Sequence, residues 1–308
     1  MALNANAPST LRALNTQFSG VYQTAFDGAT PSYERLTTRA PSTSKSNTYG
    51  WMAQIPQMRE WLGERVVNRL AARGFVIENK KFELTLGVSR DDIDDDNLGV
   101  YMPVAAGIGE AARTHPDDLL FDLMNNGHLS SAVCHDGQNF FDTDHPVSLE
   151  DSSLGTQSNY RTSMTLDATN FFAMRAAMAG FKGDSGRNLR VVGTTLVVPP
   201  ALEKVARETV AAATVSTGGA NVAYQLADVV VANELGGDST KDKTWYLLDT
   251  RKVVKPFIYQ VRRPTTFVQK FSETDDNVLM RDEYLWAATG RYNLGYGPWF
   301  LAMKCVGS

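Results

Sequence analysis

Four groupings of residues carry side chains of the kinds that chemistry uses. Gly183-Asp184-Ser185-Gly186 copies part of the loop that presents the nucleophile in trypsin-like serine proteases. That loop needs a second glycine next, where Arg187 stands, and a His and an Asp upstream on a double β-barrel. The upstream sequence reads as mostly helical, so a Gly-rich turn after a helix is the better account. The second grouping is His115, His128, His135 and His145, with Cys134 beside His135. Zinc sites draw on pairs of ligands a few residues apart, and adjacent Cys134 and His135 do not make such a pair. Asp142, Asp144 and His145 offer an oxygen-rich alternative, although both acids also suit turn caps before Pro146.

The third grouping is the acidic run Asp91, Asp92, Asp94, Asp95 and Asp96. A calcium loop counted from Asp91 needs glycine at its sixth position and glutamate at its twelfth, where Asp96 and Met102 stand. These acids instead suit the first turns of a helix, where the dipole favours negative charge. Fourth, Gly107-Ile108-Gly109 lacks the third glycine of a dinucleotide loop and the lysine of a P-loop. No catalytic set, cofactor motif or metal site emerges, and the chain is not expected to be an enzyme. The remaining enzymatic reading is a hydrolase built on His135, Asp142 and His145.

The elements that must position these residues come next. At 308 residues, 43% of them hydrophobic, the chain can bury roughly three quarters of its unfolded surface. It has no apolar run long enough to cross a membrane and no signal-peptide pattern at its start. Cys134 and Cys305 make no disulfide framework and suit a reducing cytoplasm. The net charge is −4, with 30 basic residues scattered among 34 acidic ones, so no basic stripe for gripping nucleic acid is present. A surface that faces DNA without gripping it stays open.

The first fifty residues are rich in Pro, Ser, Thr and Asn, and read as an extended arm. Leu11, Leu14, Phe18 and Tyr22 have helical spacing near its start. Residues 51–86 read as a two-stranded projection, or as a short helix at 61–72 followed by strands. A helix is expected from Ser89, kinked or broken at Pro103, and a second from Thr114 with Pro116 in its first turn, ending at Gly127. A hairpin is expected at Val133 to Phe141 around Asp136-Gly137. Further expectations are a helix at 167–181, a strand at 189–198 and a helix from Pro200 to about 214. Strands at 227–232, 244–249, 255–262, 280–293 and 296–306 close the chain. The class is α+β, with elements far apart in sequence.

In that order of elements the chain resembles the major head subunit family of Mu-like phages and prophages. The phrases that carry the likeness are Trp61-Leu-Gly-Glu-Arg-Val-Val-Asn68, Lys81-Phe-Glu-Leu-Thr-Leu86 running into Arg90-Asp-Asp-Ile-Asp-Asp95, and His115-Pro-Asp117. Asp136-Gly-Gln-Asn-Phe-Phe-Asp-Thr-Asp-His-Pro146, Leu196-Val-Val-Pro-Pro-Ala-Leu202 and Trp245-Tyr-Leu-Leu-Asp249 complete the set. The resemblance implies the tailed-phage major capsid fold. In that fold 1–50 is the N-terminal arm, 51–86 the extended β-hairpin loop and 87–198 the peripheral domain with its spine helix. The axial domain is then 199–250, and 251–308 supplies C-terminal strands returning to the peripheral domain. It further implies a major capsid protein that assembles with itself, as pentamers and hexamers, into an icosahedral shell of the virion. The implied partners are a scaffold and a maturation protease, portal and decoration proteins, and packaged double-stranded DNA, with assembly in the host bacterial cytoplasm and no membrane. On the projecting segment, Trp51 and Trp61 are the candidate anchors between subunits, and Glu64, Arg65 and Arg69 the charges that set register. Another phage component, of the tail or the decoration, is the remaining structural alternative.

Overall fold

The computed structural model describes residues 8–49, 75–94, 101–214, 218–272 and 274–308. The chain divides into two compact units. The first comprises 1–31, 79–117 and 261–293, and the second 32–78, 118–260 and 294–308. The division therefore cuts across both 87–198 and 251–308.

In the first unit, helix α1 spans Pro8–Gly28. Its predicted stripe is real: Leu11, Leu14, Phe18 and Tyr22 are all buried. Phe18 stacks on Trp286 with ring centroids 4.7 Å apart, and Tyr22 stacks on Phe267 at 4.2 Å. Leu11, Leu14 and Phe18 share one core with Val88, Ile93, Ala105, Val278, Tyr284 and Trp286. Each such buried side chain contributes about 2 kcal/mol, so this part of the arm is core and not a loose tail. Ser89 accepts the Asp91 N–H and opens a short helix at Arg90–Asp94.

The second helix, α2, spans Tyr101–Asn126. Here the structure corrects the expectation of two helices meeting near Thr114. Pro103 falls in the first turn, where the missing N–H would have had no partner anyway. Pro116 lies inside the helix, which continues past it. The residues beyond it, Leu120, Phe121 and Met124, are fully buried, and their burial outweighs the lost backbone bond. Gly109, one of the two glycines of the rejected phosphate loop, lets α1 approach α2: a Cβ there would collide with the Tyr22 carbonyl.

Strands β1 to β4 are Thr37–Pro41, Ser46–Tyr49, Phe75–Glu78 and Lys80–Ser89. Strand β2 pairs antiparallel with β3, from Ser46 opposite Glu78 to Tyr49 opposite Phe75. The described end of the 51–86 segment thus pairs back onto the arm. Later strands are β5 (Tyr160–Thr162), β6 (Thr195–Val198), β7 (Asp228–Val231), β8 (Thr244–Leu248), β9 (Phe257–Lys270), β10 (Glu283–Tyr296) and β11 (Ala302–Val306). In the first unit β4 runs antiparallel to β10, with Ser89 opposite Glu283 and Lys80 opposite Tyr292. A short helix, Asp276–Arg281, joins β9 to β10.

The core of the second unit is a five-stranded sheet in the order β5-β11-β8-β6-β7. Its central strand β8 is buried throughout, as expected of a strand covered on both faces. The strand expected at 189–198 is shorter, Thr195–Val198, because Val192 and Thr194 donate to Asp249 and Leu248 from loop backbone. Parallel strands β6 and β7 require a crossover. Pro200 opens it, and the helical run ends at Ala211. Helix α3, Ala168–Ala179, is capped by the Asp167 carboxylate on the Asn170 N–H and ends at Gly180. This unit positions every polar cluster discussed next.

Candidate functional site

The five residues nominated as subunit contacts, Trp51, Trp61, Glu64, Arg65 and Arg69, lie outside the described residues. What the structure does assemble is a buried polar cluster around the Asp136-Gly137 turn. Val133 bridges Asn139 there, and Gly137 takes φ +89°, which glycine adopts without strain. Cys134 donates its S–H to Asp136 Oδ1 at 2.8 Å. Asp136 Oδ2 faces His145 Nδ1 at 2.6 Å, with the two side chains 3% and 0% exposed. The other ring nitrogen, Nε2, faces Asn159 Oδ1 at 3.2 Å. Asn159 Nδ2 donates to the carbonyls of Phe140 and Trp299, which fixes its amide the other way round. Both ring nitrogens of His145 therefore face oxygen atoms, one on Asp136 and one on Asn159. The ring also lies flat on Trp299, 4.0 Å away and 5° from parallel.

The hydrolase trio is not brought together as a catalytic set. Asp142 caps its own loop, accepting the N–H groups of Asn139 and Thr143. His135 Nδ1 finds no hydrogen-bond partner among the described residues. Burial pushes the His135 ring down, with Asp136 partly offsetting that and His145 adding to it. The partners His145 does use, Asp136 and Asn159, were overlooked in the sequence: Asp136 reads as a turn residue, and nothing local marks Asn159. Cys134, Asp136 and His145 place their donor atoms within 4.8 Å of one another, the spacing of a metal site. Each is already engaged in the chain of hydrogen bonds, so a cation would have to break those bonds to bind. Burial, ahead of the Asp136 charge, pushes the Cys134 thiol far up, so it is no thiolate nucleophile. Burial pushes the Asp136 carboxyl up, yet the His145 hydrogen bond and charge, with the Cys134 hydrogen bond, hold it below its usual range. The arrangement is a clamp that ties the 128–160 loops to the sheet.

A second cluster centres on Lys304 of β11. Its ammonium donates to the Asn125 carbonyl at the end of α2, at 2.7 Å, and to His128 Nδ1 at 2.9 Å. It lies near the Phe141 and Tyr246 rings, and burial lowers its pKa to about 8. Burial and the Lys304 charge together lower that of His128. A cation at a helix C-terminus complements the dipole, so this cluster also serves packing.

The remaining groupings are turns and helix starts. Ser185 stands exposed on a tight turn closed by Gly186 N–H on the Gly183 carbonyl. Asp91, Asp92 and Asp94 belong to the short helix after Ser89, while Asp95 and Asp96 lie outside the described residues.

The polar clusters serve packing, and the helix-and-sheet fold matches the class of tailed-phage capsid subunits. The procapsid of bacteriophage JBD30 contains a chain 34% identical to this one, with a TM-score of 0.59, matching 98% of this chain and 76% of that one. The capsid subunit of cyanophage P-SCSP1u, 11% identical with a TM-score of 0.54, shares the fold alone. Among curated proteins, the major capsid protein of Escherichia phage Mu is 30% identical over 300 residues, 97% of this chain and 74% of that protein. The chain belongs to the family described as Mu-like prophage major head subunit gpT, whose model matches residues 11–165, 156–235 and 228–307. It is a major capsid protein of the Mu-like kind, from a family of structural proteins and not of enzymes.

Proposed function

We propose that copies of this chain close, as pentamers and hexamers, into an icosahedral shell around double-stranded DNA. The observation that carries this reading is the similarity along nearly the whole chain to a subunit solved within a procapsid. In this reading 1–50 acts as the arm, 51–86 as the extended loop, 87–198 with 251–308 as the peripheral domain, and 199–250 as the axial domain. Trp51 and Trp61 anchor the loop on a neighbouring subunit, and Glu64, Arg65 and Arg69 set its register. A scaffold and a maturation protease act during assembly in the bacterial cytoplasm, and a portal occupies one vertex. A JBD30 capsid decorated with minor capsid protein trimers supports a decoration partner here as well. The scattered charge favours DNA packed against the inner face without sequence reading.

The test is expression of the chain alone and together with its scaffold and protease, followed by negative-stain electron microscopy. Closed shells, or sheets of five- and six-membered rings, are the expected result. Monomers under every condition would overturn the proposal and return attention to His135, Asp142 and His145 with hydrolase substrates.

A further inference from the structure

Two exposed apolar features stand out on surfaces of opposite charge. The first is the short helix Asp276–Arg281, where adjacent Leu279 and Met280 are each 79% exposed. Its surroundings are acidic: Asp276 and Asp282 are exposed and Asp275 and Glu283 half-buried, against the single cation Arg281 in this segment. The second is the loop between β8 and β9, where Val253 is 96% exposed. Arg251, Lys252 and Lys255 flank it. Lys252 Nζ donates to the Leu189 carbonyl, which sets this loop against the turn that carries exposed Arg187 and Arg190. Asp249, the acid nearest in sequence, is fully buried and pairs with Arg251 at 3.8 Å, which leaves Lys252, Lys255, Arg187 and Arg190 as the larger part of the positive charge here.

We infer that the acidic, apolar tip at 275–283 of one subunit docks on the basic, apolar loop at 251–255 of a second copy of this chain. The inference rests on the shell-subunit reading. The adjacent, exposed Leu279 and Met280 mark the interacting tip, and the rim charges say which surface it fits. Each patch carries one dominant sign, so neither pairs well with its own copy. The contact is therefore heterologous, tip to loop, the type of interface that closes rings of subunits. A DNA backbone is the other candidate for the basic loop, but a bare valine at its apex adds nothing to phosphate binding. Opposite rims speed and orient docking, so the contact weakens as salt rises.

The test uses the full chain under assembly conditions. The double variant Val253→Cys with Leu279→Cys is oxidised, and products are resolved on a non-reducing gel. Native Cys134 and Cys305 are buried and stay out of the reaction. The expected result is a ladder of linked chains that neither single variant gives. In parallel, Asp276→Lys and Lys252→Glu should each reduce the yield of shells at least tenfold, and their combination should restore it. Circular dichroism checks that these surface variants fold. No ladder from chains that otherwise form shells would overturn the inference. So would full shell yield from both charge reversals, or Lys252→Glu abolishing duplex-DNA binding while shells form normally. If the unaltered chain forms no shells, the shell-subunit reading itself fails, which is a separable outcome.

Discussion

His145 shows how a residue that looks reactive is absorbed into structure. It has an acid, a thiol and an amide around it, the inventory of a hydrolase, yet all are buried and bonded to one another. Removing one member of a buried pair costs about 3–5 kcal/mol, because the other is left uncompensated. Asp136→Asn is therefore expected to lower the unfolding free energy at pH 7 by about that amount, read as a lower urea midpoint. Because folding depresses the Asp136 carboxyl below its ordinary 3.8, its contribution is present above that value and lost as pH falls through the folded value. The unaltered chain should lose stability below about pH 4, and the asparagine variant should lose less. Lys304 gives a slope of the same sign, at higher pH. Its folded value of about 8 lies below the ordinary 10.5, so between them the unfolded chain holds the proton more tightly. Its contribution to stability rises with pH across that window. Unfolding midpoints at several values from pH 7.5 to 9.5 should show the rise in the unaltered chain and a flatter line in Lys304→Met. Of this chemistry the sequence disclosed the histidines and the Asp-Gly turn. It concealed the Asn159 link, because a contact across the fold has no local signature.

At the scale of elements, local rules read well where they agree with tertiary packing. The α1 stripe was legible from Leu11, Leu14, Phe18 and Tyr22, and α3 falls within the helix expected at 167–181. Local rules misled at α2, where Pro116 argues for a start and burial of Leu120, Phe121 and Met124 overrides it. Pairing of β4 with β10 was not legible, since partners some two hundred residues apart are chosen by the whole core. The glycines of α2 separate propensity from packing. Gly109→Ala drives a methyl into the α1 backbone and should destabilise by about 1–3 kcal/mol. Gly107→Ala meets nothing within 4 Å and should stabilise by about 1 kcal/mol through helix propensity. Thermal unfolding of the two variants beside the unaltered chain checks both signs.

For the whole molecule, the family and the α+β class were legible because the characteristic phrases are spread along the entire chain. The division into two units was not, because each unit gathers three separated segments. A subunit of this kind places its function at its surfaces and uses its buried polar groups to hold them in place. Trp51→Ala with Trp61→Ala should then leave the isolated chain folded, by circular dichroism, while lowering the yield of shells. The most direct measurement is a cryo-electron microscopy reconstruction of particles formed by the chain with its scaffold and protease. The account predicts a closed icosahedral shell, with rings of five and six subunits into which both units of this fold fit. Tubes, trimers or isolated rings built from the same chain would contradict it.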